Sequence, residues 1–197
     1  MKGSKRTVFL VGAGFLAIIL IVFLLLLIFC KQRFYRTAYP LKYIQEVEET
    51  AQAYEIDQYL LYAVIKTESN FDPEATSHIP ARGLMQITGE TFDWIKMKLQ
   101  WSDDTTYDEM YDPETNLMFG GYLLSYLLDE FDNTETALAA YHAGRSRVNS
   151  WLSSSEYSSD GKTLDHIPYG DTRSYVKTVA QAYTVYKKLY DKESSSQ

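Results

Sequence analysis

Two hydropathy regimes divide the chain. Residues 8–30 form an uncharged apolar run of 23 residues, and from Leu41 onward apolar positions return at three- and four-residue steps. At about 1.5 Å per residue, the first stretch crosses a bilayer core of about 30 Å with some tilt. It is longer than the roughly 7–15 apolar residues of a secretory signal, and Leu27-Ile28-Phe29-Cys30 offers no small-residue cleavage site. The run therefore predicts an uncleaved single-pass anchor over 8–30. It is preceded by a short cytoplasmic N-terminus over 1–7 and followed by a juxtamembrane linker over 31–40. Basic residues flank both ends (Lys2, Lys5 and Arg6 before it; Lys31, Arg33, Arg36 and Lys42 after it), so charge alone does not orient it.

The second regime predicts a domain over 41–190 and a frayed, Ser-rich tail over 191–197. Tyr43, Ile44, Val47, Ala51 and Tyr54 mark one amphipathic helix. Asp57 is placed to cap the next, over 58–69, which Asn70-Phe71-Asp72-Pro73 stops. A loop of small and polar residues follows, to about Ile87. Thr88 caps a helix carrying Phe92, Ile95 and Leu99, and Asp112-Pro113 starts another carrying Leu117, Leu124, Leu127, Leu128 and Phe131. Gly120-Gly121 inside that helix costs about 1 kcal/mol per residue relative to Ala, which predicts close approach of a neighbour. Asn133 or Thr134 opens a further helix that ends at Gly144 as its C′ residue, and 153–161 reads as a surface loop. Asp171 or Thr172 caps the last helix, with Val176, Val179, Ala180, Tyr183 and Tyr186 facing inward. No run alternates at period two and no internal repeat occurs, so the fold class is mostly α.

Charge narrows the partners. The net charge is −7, and the chain beyond residue 30 carries 16 basic against 26 acidic residues. A nucleic-acid partner would need a basic face, so none is expected. The single cysteine, Cys30, ends the apolar run and leaves the domain without a disulfide. His78, His142 and His166 lie far apart without ligand spacing, so neither a metal nor a cofactor is expected.

One acid stands out. Along the helix over 58–69, Leu60, Leu61, Val64 and Ile65 define a stripe, with Tyr62 and Lys66 opposite, and Glu68 falls near the middle of that stripe. Burial disfavours the charged form of a carboxyl group, and a carboxyl that stays protonated near neutral pH can give its proton to a leaving oxygen. The bland alternative is that Glu68 reaches solvent or pairs with Arg82. Asp72, just before Pro73, reads as a turn-capping group.

Four blocks around this acid resemble one family. Glu68-Ser69-Asn70-Phe71-Asp72-Pro73, then Ser77, then Ala81-Arg82-Gly83-Leu84-Met85-Gln86 form the first. Asp112-Pro113 with Asn116 and Gly120 form the second, and Ala139-Ala140-Tyr141-His142-Ala143-Gly144 the third. Residues 167–176, Ile-Pro-Tyr-Gly-Asp-Thr-Arg-Ser-Tyr-Val, form the fourth. Together they resemble the signature of the soluble lytic transglycosylase family in its order. The resemblance implies a lysozyme-like α-helical domain that cleaves the β-1,4 bond between N-acetylmuramic acid and N-acetylglucosamine in peptidoglycan. It implies Glu68 as general acid and then general base. It implies Ser77, Met85, Gln86, Tyr141, His142 and Tyr175 as groove residues.

Three positions depart from the family pattern. His142 stands where Asn is usual, Asp171 where Glu is usual, and Thr88 where Met is frequent. A hydrolase of the same fold and a non-catalytic glycan-binding subunit are the alternative readings. Because peptidoglycan lies outside the bacterial cytoplasmic membrane, the resemblance also implies that the domain faces outward.

Overall fold

The computed structural model describes the backbone of residues 2–77, 80–101 and 104–194, and side chains within these except for residues 2–15, 17 and 192–194. His78, one of the three histidines considered above, lies outside the described residues. The chain divides into two compact units, 1–40 and 41–197.

The first unit is one helix, α1 (Lys2–Ala38). It begins inside the segment expected to precede the anchor and continues through most of the stretch expected to be a linker. No Gly or Pro interrupts 31–38, so nothing in that stretch breaks the ladder. Pro40 does, because the residue before a proline is pushed out of the α region. Within α1, the 21 residues Ile18–Ala38 are, by length and composition, long and apolar enough to cross a membrane. The apolar side chains Ile18 to Phe29, Phe23 and Leu27 among them, are exposed.

The second unit is built from α2 (Ile44–Ala53), α3 (Gln58–Glu68), α4 (Gly89–Leu99), α5 (Pro113–Glu130), α6 (Thr134–Ala143), α7 (Arg145–Leu152) and α8 (Gly170–Ser194). Side-chain caps start several of them. Asp57 accepts from the Tyr59 amide, Thr88 from Thr91, Asp112 from Thr115 and Asn133 from Thr136. α8 begins at Gly170 and runs to Ser194, into the segment expected to be frayed.

Three features were not foreseen. A two-residue antiparallel ladder joins β1 (Ala81–Arg82) to β2 (Ile87–Thr88) within the expected loop. A short 3-10 helix covers Tyr107–Tyr111. α7 follows α6 directly, burying Val148, Trp151 and Leu152 along one side. The ladder and the 3-10 helix are too short to show a period, and α7 shows only one i, i+3, i+4 set, Val148, Trp151 and Leu152.

α3 lies at the centre and packs chiefly on α8. Its core contact is wider than the predicted stripe. Tyr62, expected opposite, is only 2% exposed and stacks on Tyr186 with ring centroids 5.5 Å apart. Residues Tyr59 to Ile65 are all buried, so neighbours surround the helix over two turns. Each fully buried Leu, Ile or Val contributes about 1.5–3 kcal/mol relative to exposure. The paired glycines of α5 mark the close approaches foreseen for them. A Cβ on Gly120 would lie 2.4 Å from the Met85 sulfur, and one on Gly121 would lie 2.3 Å from Thr50 Cγ2 on α2.

Candidate active site

Glu68 occupies the last turn of α3, and the chain beyond it is fastened to the β-ladder region. Ser69 is the C-cap; its Oγ donates to Leu84 O at 2.9 Å and accepts from the Phe71 amide at 3.1 Å. Asn70 and Phe71 take positive φ values, 52° and 66°, turning the chain sharply so that Phe71 returns to the core. The facing loop, 82–86, is held from beneath by Asn116 of α5, which is fully buried. Its Nδ2 donates to Arg82 O at 2.9 Å and Met110 O at 2.8 Å, while its Oδ1 accepts from the Met85 amide at 2.7 Å. Gly83 sits against this amide with φ +76°, and an added Cβ there would lie 2.0 Å from Met110 O.

Burial around Glu68 raises its pKa from the usual 4.5 to about 7, and the nearby Tyr175 hydroxyl opposes part of that rise. Among the described residues, no other carboxylate contributes to the shift. The Tyr175 hydroxyl is itself buried and closes no hydrogen bond, so it approaches the carboxyl without completing a bond to it. Tyr141 flanks the acid from α6. Its hydroxyl donates to Met85 O at 2.8 Å, and both burial and the Glu68 charge push its pKa well above the usual phenol value. The His142 ring lies 4.6 Å from the Tyr175 ring, with Nδ1 3.2 Å from Thr172 Oγ1. Partial burial of the ring lowers the His142 pKa, and neighbouring Asp171 partly offsets this.

Glu68, Tyr141, Tyr175 and His142 are thus brought together from α3, α6 and α8. The other expected groove residues differ. Met85 is fully buried behind the loop with its sulfur towards Gly120, so it packs rather than lines a groove. The Gln86 amide nitrogen donates to Ala75 O at 3.0 Å and Gly83 O at 2.9 Å, which commits that end of the side chain to the loop. Ser77 is exposed, and its amide bonds Ala81 O at 3.4 Å beside the β-ladder. Arg82 does not pair with Glu68. It bonds Asp108 at 2.6 Å and lies over the Tyr107 ring, 4.1 Å from its centroid. Asp72 accepts from the Glu74 amide at 3.0 Å as a turn group. Among the described residues, no cluster of three or more His, Cys, Asp or Glu could hold a metal ion.

Sequence reasoning also missed a cavity of about 750 Å³ beyond Tyr141, lined in part by Glu90, Trp94, Arg145, Arg147, Trp151 and Tyr169. Glu68 is not among its lining residues, and Tyr141 is the shared wall. The only signal for it was the density of Arg and Trp in 145–151, straight after Gly144.

Comparison with known proteins identifies the family to which the chain belongs. The transglycosylase SLT domain family matches residues 45–164. The soluble lytic murein transglycosylase of Escherichia coli K12 is 32% identical over 154 residues, covering 77% of this chain and 24% of that protein. The membrane-bound lytic murein transglycosylase C of Sodalis glossinidius is 37% identical over 92 residues, covering 46% of this chain and 26% of that protein. The crystal structure of the 70 kDa soluble lytic transglycosylase of Escherichia coli superposes with a TM-score of 0.69 at 28% identity, covering 78% of this chain and 25% of that one. That enzyme has also been solved as a complex with bulgecin A. The chain thus spans about a quarter of the length of these curated relatives.

Proposed function

Since the chain belongs to the transglycosylase SLT family, we propose that its second unit is a peptidoglycan lytic transglycosylase that works with one carboxyl group. The observation that carries this reading is Glu68, a half-buried acid at the end of a core helix whose pKa its apolar surroundings push up to about 7. Near neutral pH such a group is divided between its two forms, which suits a residue that must first give and then take a proton.

The protonated Glu68 carboxyl donates to the glycosidic oxygen between N-acetylmuramic acid and N-acetylglucosamine. The C1–O bond breaks, N-acetylglucosamine leaves as its alcohol, and positive charge collects at C1 of the muramic ring. The resulting Glu68 carboxylate removes the proton of the muramic C6 hydroxyl. O6 then bonds to C1, closing a 1,6-anhydro ring and restoring the acid. The attacking hydroxyl is tethered to the ring it attacks, so no water has to be positioned. This matches a site where no second carboxylate among the described residues acts on Glu68; a hydrolase uses two carboxyl groups in most families. The unpaired Tyr175 hydroxyl is placed to donate to the carboxylate formed midway. Tyr141, turned to Met85 O, and His142, its ring tilted against that of Tyr175, hold these groups in register.

The test is the end group. Digestion of purified cell wall by the full chain is expected to yield 1,6-anhydro-muramic ends by mass spectrometry, 18 Da lighter than hydrolytic products by the mass of one water. Reducing muramic ends instead would assign a muramidase and sink the mechanism.

The apolar helix α1 and the membrane-bound relatives support membrane association. We read α1 as a single-pass anchor with the domain outside, where the proposed substrate lies. In protease protection of intact cells, residues 41–197 are expected to be cleaved from outside. Full protection until lysis would place the domain in the cytoplasm and overturn that orientation.

A further inference from the structure

Beyond the uncharged run, α1 continues unbroken to Ala38, so its side chains hold fixed bearings around the helix axis. Phe29, Arg33 and Arg36 succeed one another at four- and three-residue steps and share one side. With Gln32 and Thr37 they line a shallow cavity of about 400 Å³. Arg33 is exposed and Arg36 half-buried, and the exposed Phe29 marks the end that lies within the apolar run. The aromatic rings gather elsewhere on the helix. Phe34 meets Tyr35 edge-on with centroids 5.9 Å apart, and Tyr35 stacks on Tyr39 at 6.4 Å. Lys31 is two residues from both Phe29 and Arg33, which puts it on the opposite side. Residues 1–40 carry six basic and no acidic residues, against 13 basic and 26 acidic in 41–197.

Resting on the reading of α1 as a membrane anchor, we propose that this groove binds an anionic phospholipid, with Arg33 and Arg36 on the headgroup phosphate and Phe29 against the top of the acyl chains. Depth supports the assignment. At about 1.5 Å per residue, Arg33 and Arg36 leave the helix about 4.5 and 9 Å beyond Cys30, the last residue of the uncharged run. The headgroup layer extends about 5–8 Å beyond each side of the hydrocarbon core. Helical side chains lean towards the N-terminus, which brings both guanidinium groups back into that layer and lays Phe29 in hydrocarbon. The planar fork of arginine matches phosphate oxygens through paired hydrogen bonds. Charge then selects among lipids. A zwitterionic headgroup sets its own ammonium beside the phosphate, whereas an anionic one leaves the phosphate charge for the protein to meet. A lipid held here would fix the depth and rotation of α1 in the bilayer.

The test uses the full chain in detergent, with dioleoyl phosphatidylglycerol and dioleoyl phosphatidylcholine as probes and bound lipid counted by native mass spectrometry. The probes share their acyl chains, so a difference reports the headgroup. Phosphatidylglycerol is expected to bind about 25-fold more tightly, about fivefold for each arginine. Arg33→Gln combined with Arg36→Gln should abolish that preference, whereas Lys31→Gln, on the far side, should leave it within about twofold. Equal binding of the two lipids by the wild type, or a preference that survives the double substitution, overturns the proposal. An equal loss in the Lys31→Gln protein would mean diffuse charge instead of a groove, and competition by soluble glycerophosphoglycerol as effective as the lipid would mean a plain anion site; either result also overturns it. Alkaline carbonate extraction of membranes separates the lipid site from the anchor reading. Protein released by carbonate while keeping the preference would remove the spanning anchor and leave the site. Protein retained without the preference would do the reverse.

Discussion

Glu68→Gln is expected to lower cell-wall cleavage by about 10²–10⁴-fold, the usual worth of a positioned general acid or base. The change keeps the shape of the side chain and removes only its ability to exchange a proton. The wild-type rate should also fall as pH rises above about 7, because the first step needs the protonated carboxyl. Stability provides a second, independent readout. The folded-state pKa is about 7 against 4.5 for an unperturbed carboxyl, so the folded protein holds this proton more tightly than the unfolded chain. The associated stability is complete below pH 4.5 and is lost as pH rises through 7, a loss of about 3 kcal/mol at one pKa unit per 1.36 kcal/mol. Glutamine has no such proton to lose. Melting curves at pH 5 and pH 9 should therefore show the variant gaining on wild type at the higher pH. Matching pH dependence in the two proteins would mean that Glu68 is not held in an apolar setting, and the mechanism would go with it.

Asn116→Ala is expected to cost about 3–5 kcal/mol, among the largest single effects in the domain. Three buried backbone groups, the Met85 amide and the carbonyls of Arg82 and Met110, would lose their partner together. Asn116→Asp should do little better, since a carboxylate cannot donate to the two carbonyls. Gly83→Ala should be comparably severe. Its φ of +76° strains any side chain, and the new Cβ would meet Met110 O at 2.0 Å. Denaturant unfolding of the full chain in detergent measures both. A cost for Asn116→Ala below about 1 kcal/mol, a single ordinary hydrogen bond, would mean that the 82–86 loop is not held from this residue. Because Met85 O also anchors Tyr141, partial loss of activity should appear in these variants at temperatures where they are still folded.

The contrast between Glu68 and Asn116 marks what can be seen along a chain. Glu68 betrays itself by periodicity, because an acid in register with Leu61, Val64 and Ile65 is out of place on a core face. Asn116 also falls among apolar positions, but its value lies in three carbonyl and amide groups that only folding brings to it. Met85 and Gln86 show the reverse case. Their motif positions suggested a groove, while the turn at Gly83 aims one at the core and ties the other to backbone carbonyls. Tyr62 was misplaced because a stripe calculation assumes one wet face, and α3 is buried along Tyr59–Ile65.

Local patterning was enough for most of the helices and for the caps at Asp57, Thr88, Asp112 and Asn133, for the apolar segment near the N-terminus, and for placing Glu68 in register with core positions of α3. These follow from nearest-neighbour sterics, capping chemistry and the partition of side chains between water and apolar surroundings, all of which act over a few residues. The tertiary structure alone decided how tightly Glu68 holds its proton, which tyrosines face it, and that Arg147, Trp151 and Tyr169 close a cavity next to it. Those properties depend on groups from α3, α6, α7 and α8 meeting in space, and no spacing along one segment encodes the distance between them.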